Sequence, residues 1–130
     1  MIMVAKDDVL KGLKKFKRLA KQDLLVSQLT PDPQFWTEQA EGRRDTYAKL
    51  MNIIDDHGLD HAYRYALQKY ADLPFLFENG QQNPTTIGNR QALEMFFTII
   101  GVNPNKQKHT KTTLTNPVKD TGDIVLNAQS

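Results

Sequence analysis

The spacing of apolar residues predicts that the chain is mainly helical. Between residues 7 and 28, apolar side chains recur at steps of three and four, as one face of a helix requires. They are Val9, Leu13, Phe16, Ala20 and Leu24. The following LTPDPQ stops this helix, because each proline disfavours the helical conformation in the residue before it. We therefore predict a first helix over residues 7–28.

The next predicted helix is the longest and follows this proline-rich stop. Pro33 is favoured in a first helical turn, and the pattern continues to His57, with a break at Gly42 left open. Its apolar side consists of Phe35, Trp36, Ala40, Tyr47, Leu50, Met51 and Ile54. Gly58 predicts a carboxyl-terminal cap, so we expect the next helix to pack antiparallel to this one.

That third helix is predicted from Leu59 through LDHAYRYALQKYADL, and PFLFENG at residues 74–80 predicts one or two further helical turns. A fourth main helix is expected from about Thr85, with Thr86 as its N-cap and Gly101 at its end. Its many large apolar residues predict that it is the most buried helix. We interpret the aromatic residues of this region as packing rather than base-stacking groups: Tyr63, Tyr65, Tyr70, Phe75 and Phe77.

After Pro104 the sequence turns polar and basic. Two short runs, KTTLT and DIVLN, flank the turn-rich NPVKDTG and predict a β-hairpin or a flexible tail over residues 105–130. Because a lone hairpin is marginal in water, we expect it to contact neighbouring subunits or a partner. The contact residues predicted are Thr113, Leu114, Ile124, Val125 and Leu126. The expected fold is mainly α, with four main helices in a compact bundle (residues 1–104) and this short tail.

Composition limits the functional classes. The chain has 130 residues, no cysteine and no apolar run near the roughly 20 residues of a membrane span. Its first residues, MIMVAKDDV, lack the long apolar core of a secretory signal. We expect a cytoplasmic protein that makes no contact with a membrane.

Charge is distributed unevenly along the chain, although the net charge is only +2. Residues 1–29 carry seven Lys or Arg against three acids, residues 30–100 carry six against ten, and residues 101–130 carry four against two. The ends are therefore basic and the middle acidic. This distribution favours either a nucleic-acid contact at the ends or packing of basic ends on acidic middles of neighbouring subunits.

The first helix presents most of this positive charge on the side away from its apolar stripe. We name this surface the basic face: Lys11, Lys14, Lys15, Arg18 and Lys21. Such a face is either a solvated helix surface or a contact to DNA phosphates. Few side chains suited to reading base edges lie among these cations, so we expect any DNA binding to be weakly sequence-specific. Lys6 and Lys17 would add to the positive field.

Catalytic and metal-binding motifs are weak in this sequence. The stretch DDHGLDH is rich in ligand types, but Gly58 is expected to separate His57 from His61, so we predict no metal site. There is no nucleophile elbow and no glycine-rich phosphate loop. We expect a protein that is not an enzyme and binds no cofactor.

From Thr46 onward the order of features resembles a known family. A Tyr-rich helix, YAKLMNIIDDHGLDHAYRYALQKY, precedes a loop with Asn83-Pro84. A helix with Ala92 and Leu93 follows and ends in Gly101-Val102-Asn103-Pro104, with Lys106 beyond. This half of the chain resembles the carboxyl-terminal half of small terminase subunits of tailed phages and prophages. In that family Ser and Arg usually follow the final Pro, whereas Asn105 and Lys106 stand here.

The resemblance implies a non-catalytic DNA-packaging protein. Such a protein would bind double-stranded DNA, assemble as a homo-oligomeric ring and deliver DNA to a large terminase subunit. Two other classes remain open from the sequence: a phage transcriptional regulator or host-factor inhibitor, and a virion head-tail adaptor. A regulator would place the basic helix in a helix-turn-helix, for which LTPDPQ leaves no compact turn.

Overall fold

Four helices account for most of the part of the chain that the computed structural model describes, which is residues 3–73, 77–78 and 81–104. They are α1 (Lys6–Val26), α2 (Pro33–His57), α3 (Leu59–Asp72) and α4 (Pro84–Ile100). The prediction of a mainly helical fold with four main helices is thereby confirmed. The predicted hairpin in residues 105–130, with Thr113, Leu114, Ile124, Val125 and Leu126, lies outside the described residues.

Helix α1 begins and ends close to the predicted positions. Asp7 and Asp8 lie in its first turn, where negative charge is favourable beside the exposed backbone N–H groups. At its other end the backbone tightens into a 3₁₀ turn at Ser27–Leu29. Of the predicted apolar stripe, the residues buried completely are Val9, Leu13 and Ala20, while Phe16 and Leu24 are half-buried.

Helix α2 starts at the expected proline and is not broken at Gly42. The Asp32 carboxylate caps it by accepting a hydrogen bond from the Phe35 N–H at 3.3 Å. Gly42 lies where α2 crosses α4, and a Cβ atom there would stand 2.8 Å from the Thr85 carbonyl oxygen. The glycine therefore permits close packing of two helices instead of ending one. At the far end Gly58 has φ +93° and separates α2 from α3.

Helix α4 begins at Pro84, close to the predicted start, but its N-cap is Asn83 and not Thr86. The Asn83 Oδ1 atom accepts the Thr86 N–H at 3.0 Å, and Pro84 follows in the first helical turn. Asn ranks above Thr as a cap, and proline is favoured at this position. The predicted end is confirmed: Gly101 has φ +75°, and the Val102 N–H donates to the Phe97 carbonyl at 2.9 Å.

The helical turn predicted over residues 74–80 is wrong at the two positions of that segment that the structure describes. Phe77–Glu78 (β1) instead pairs antiparallel with Gln81–Gln82 (β2), with Phe77 opposite Gln82 and Glu78 opposite Gln81. The sequence between the strands is Asn79-Gly80, the dipeptide most typical of two-residue hairpin connections. The strand pairing shows that the apolar residues of this segment do not form a helical turn at residues 77 and 78.

The core lies between α2 and the helices on either side of it, chiefly α1 and α4. Phe96 and Phe97 of α4 have the largest fully buried side chains, in agreement with the prediction that this helix is deeply buried. Tyr63 and Tyr70 of α3 meet the Phe97 ring edge-on, with centroids 6.4 and 5.5 Å away. These tyrosines pack against the core, as does Tyr65, whereas the side chains of Phe75 and Phe77 lie outside the described set.

Burial of tyrosine makes stability sensitive to alkaline pH. Burial raises the pKa of Tyr47, with a smaller opposing effect from Arg43, and the pKa of Tyr70 is raised by burial and by its hydrogen bond to Glu94. An unfolded tyrosine ionises near pH 10, so the neutral folded form loses stability as pH rises above about 10. We expect the free energy of unfolding of Tyr47→Phe to fall less steeply as pH rises than that of the wild-type protein. Urea unfolding at a series of pH values from neutral upward measures this difference. A difference from wild type that is independent of pH would contradict this account.

Candidate nucleic-acid interface

All five cations of the basic face are exposed on one side of α1. Lys11, Lys14, Arg18 and Lys21 follow one another at steps of three and four, so they form a row along the helix axis. Lys15 lies beside this row. The opposite side of α1 carries the buried Val9, Leu13 and Ala20, which fix the orientation of the helix against the core. The predicted segregation of charge and apolar residues on α1 is confirmed.

The positive charge of the basic face is not neutralised within the described part of the chain. None of its five cations has a carboxylate at ion-pair distance among those residues, where the recorded pairs are Asp23–Arg43, Arg44–Asp45 and Arg90–Glu94. Asp7 lies in line with the row, four residues before Lys11, and the acid that follows Lys21, Asp23, bonds the Arg43 guanidinium of α2 at 2.7 Å. Its charge is therefore committed to another helix, and the basic face is available to an anionic ligand.

Hydrogen bonds hold the carboxyl-terminal end of α1 against α2. The buried Ser27 hydroxyl donates to the Leu24 carbonyl at 2.7 Å and accepts the Thr37 hydroxyl at 2.8 Å. The Thr30 hydroxyl donates to the Ser27 carbonyl at 2.6 Å. Because these bonds are short and local, the last turn of α1 has a defined position relative to α2.

A second set of polar contacts joins α2 to both of its neighbours. Gln39 is 5% exposed, accepts a hydrogen bond from the Arg43 Nε at 3.2 Å, and donates one to Gln91 of α4. Arg43 in turn contacts Asp23 of α1. This chain of contacts connects α4, α2 and α1, and it helps to fix the orientation of α1 against α2.

An exposed apolar surface adjoins the basic face, and the sequence patterns did not reveal it. We name it the apolar corner: Leu25 (80% exposed), Val26 (51%), Leu29 (85%) and Trp36 (43%). Trp36 was assigned to the apolar side of α2, but it lies at the outer end of that helix beside Val26, and the two line one shallow depression. An apolar stripe on a helix is buried only where another element packs against it. The local sequence does not show at which residue that packing stops.

The two histidines of DDHGLDH come together despite the helix break. Gly58 ends α2 between them, as predicted, but the ring centroids are only 4.7 Å apart and both side chains are exposed. The turn at Gly58 reverses the chain tightly enough to return His61 to the end of α2. Within the described residues no third His, Cys, Asp or Glu completes a cluster suited to a metal ion. The pair is therefore a surface contact to which we assign no ligand.

A polar cleft between α2, α3 and α4 is a second concave surface. Its lining includes Lys49 and Lys69, but its acids have local partners: Arg44 pairs with Asp45, and Gln68 donates to Asp72. These contacts are those of solvated helix surfaces, and they converge on no common point. We assign the cleft no chemistry.

Neither a membrane-spanning helix nor a known relative indicates a function for the chain. In residues 3–73 and 81–104, no helix has both the length and the apolar character needed to cross a bilayer. No family model, curated protein or solved structure matches the chain. A function is therefore inferred from the geometry of the described residues and from the sequence.

Proposed function

We propose that the protein is a non-catalytic, double-stranded DNA-binding protein that acts in phage DNA packaging. The observation that carries the DNA-binding part is the basic face, in which five exposed cations on one helix have no ion-pair partner in the described chain. Duplex DNA presents about one negative charge per 1.7 Å, so a row of cations gains affinity from each phosphate it neutralises. The packaging role rests on the resemblance to small terminase subunits.

The arrangement of α1 and α2 favours this reading over a helix-turn-helix regulator. Contacts run along both helices in opposite order, from Ser27 with Thr37, through Asp23 with Arg43, to Phe16 with Tyr47. The helices therefore form an antiparallel pair, whereas a helix-turn-helix holds two short helices at a steep angle. A phosphate-contacting surface without a recognition helix fits weakly sequence-specific binding.

Assembly and delivery complete the proposal. Residues 105–130 would contact neighbouring subunits or a large terminase subunit in the host cytoplasm, and a homo-oligomeric ring would place several basic faces around one duplex. A virion head-tail adaptor remains the alternative if the protein is found in mature particles. Native mass measurement distinguishes a ring from a monomer.

Neutralising part of the basic face tests the DNA-binding proposal. Five phosphate contacts predict a slope of about −4.5 when the logarithm of the binding constant is plotted against the logarithm of the salt concentration. In Lys14→Gln/Arg18→Gln/Lys21→Gln two of these contacts remain, which predicts a slope of about −1.8. The measurement is fluorescence anisotropy of a labelled duplex over a salt series starting at about 50 mM.

The matched control removes the same charge elsewhere. Lys49→Gln/Arg64→Gln/Lys69→Gln changes three exposed cations of α2 and α3. We expect this variant to keep nearly the wild-type slope, because those residues lie off the proposed contact. Equal slopes for the two triple variants, or no binding by the wild-type protein at the lowest salt, would refute the proposal.

A further inference from the structure

The apolar corner continues the line of the basic face. Leu25 follows Lys21 by four residues and Arg18 by seven, so it lies in the same row on α1. Leu29 follows Leu25 by four more, at the end of the 3₁₀ turn. A ligand that lies along the cations therefore reaches Leu25 about 6 Å beyond Lys21. A duplex that follows the row past Lys21 therefore also meets Leu25.

The chemistry of the row changes at this point. Leu25 and Leu29 are 80% and 85% exposed, and Val26 and Trp36 extend the apolar surface sideways. A phosphate gains nothing from contact with such side chains. The apolar parts of a duplex are the faces and edges of its bases, and exposed leucines in other DNA-binding proteins enter the minor groove between base steps.

We propose that the apolar corner is a wedge that inserts Leu25 and Leu29 at a base step of the duplex and bends the DNA held by the basic face. This inference rests on the proposed function. Charge complementarity with the adjoining cations is what selects a duplex as the occupant, since the row is continuous and no carboxylate interrupts it among the described residues.

The position of the corner suits insertion. Ser27 is buried and bonded to Leu24 and Thr37, and Thr30 closes the turn onto Ser27. Leu25 lies in the last turn of α1 and Leu29 at the end of the 3₁₀ turn, so the backbone that carries both leucines is already ordered and loses little freedom when they meet the bases. A wedge bends a duplex by roughly 20–90°.

A bending assay tests the wedge directly. The probe is a duplex of about 30 base pairs with a fluorophore at each end, because a bend shortens the end-to-end distance and raises energy transfer. We expect wild-type protein to raise energy transfer and Leu25→Ala/Leu29→Ala to return it to the value of free DNA. Affinity should fall by about tenfold or more, since two apolar side chains lose their burial, while the salt slope stays unchanged.

Leu19→Ala is the matched control. Leu19 is also an exposed leucine of α1 (41%), but it lies outside the row, so both bending and affinity should match wild type. Leu25→Lys is a second variant that extends the cationic row. It is expected to steepen the salt slope and still lose the bend. Circular dichroism on all variants checks that α1 is intact.

The outcomes separate this inference from the proposed function. If wild-type protein binds the duplex with a steep salt slope but the double leucine variant bends it equally, the wedge is refuted and DNA binding stands. Bending retained by Leu25→Lys would refute it too. If wild-type protein does not bind the duplex at all, both proposals fall.

Discussion

Lys14→Glu/Lys15→Glu/Arg18→Glu is expected to abolish DNA retention in a gel shift at low salt. The three residues are exposed and lie together on α1, and the substitution places three carboxylates where the proposal puts phosphates. Repulsion then replaces attraction at the centre of the basic face. Because none of these side chains is buried and Glu is a good helix former, the fold is expected to persist.

The control for this reversal is Lys49→Glu/Arg64→Glu/Lys69→Glu. It changes the net charge of the protein by the same amount but leaves α1 unaltered. We expect this control still to retain DNA in the gel shift. The retention should be weaker than with the wild-type protein, because the net charge is lower. If the α1 variant retains DNA as well as this control does, the contact lies elsewhere on the molecule.

Gly88→Ala is expected to destabilise the fold more than any other single methyl addition among the glycines of the four helices. A Cβ atom at residue 88 would stand 2.1 Å from the Gln39 carbonyl oxygen and 3.1 Å from the Arg43 nitrogen. Backbone atoms of α2 cannot rotate away as a flexible side chain does, so α2 and α4 must separate. We expect a loss of about 3 kcal/mol or more in the free energy of unfolding, out of a total of roughly 5–15 kcal/mol.

Gly12→Ala tests the same methyl addition where there is room. Its Cβ would meet the end of the Ile99 side chain at 3.4 Å, and the residue lies inside α1. Alanine is favoured over glycine in a helix interior by up to about 1 kcal/mol, so this variant should equal or exceed wild-type stability. Urea unfolding measures both variants, and Gly88→Ala within about 0.5 kcal/mol of wild type would show that the helices do not cross there as described.

The helix boundaries were predictable because their signals are local. Pro33, Gly58 and Gly101 each act through the backbone geometry of their own position, and the structure uses all three as expected. Where the boundaries were missed, a local signal was present but underrated. Asn83 competes with Thr86 as a cap, and Asn79-Gly80 is a hairpin dipeptide in the sequence.

The way the helices meet was not predictable in the same manner. Gly42 looked like a break in α2 and is instead the place where α4 approaches, opposite Asn89. A glycine inside a helix signals either flexibility or close contact, and the choice depends on a helix more than 40 residues away in the sequence. The approach of His57 to His61 across Gly58 depends likewise on the turn formed there.

One part of the candidate site could be predicted from local signals, and the other part could not. The basic face was predictable, because charge and periodicity alone decide which residues of α1 face away from the core. The apolar corner was not, since Leu25, Leu29 and Trp36 differ from core residues only in lacking a covering element. The residue type alone does not distinguish an apolar side chain that stays exposed from one that packs in the core.

The residues that carry the family resemblance have local structural roles. Asn83 caps α4, Pro84 lies in its first turn, and Gly101 ends it in the left-handed conformation. These roles arise in any helical protein with the same turns, so the motif explains the two ends of α4 and implies no particular activity. The DNA-binding proposal therefore depends on α1, which lies outside the resemblance.

Lysine footprinting with and without duplex DNA tests the central proposal most directly, because it locates the contact residue by residue. Reductive methylation followed by mass spectrometry compares Lys11, Lys14, Lys15 and Lys21 of the basic face with Lys49 and Lys69, which are also exposed. We predict that bound DNA protects the four lysines of α1 and leaves the other two reactive. Equal modification of both groups at saturating DNA would contradict the account.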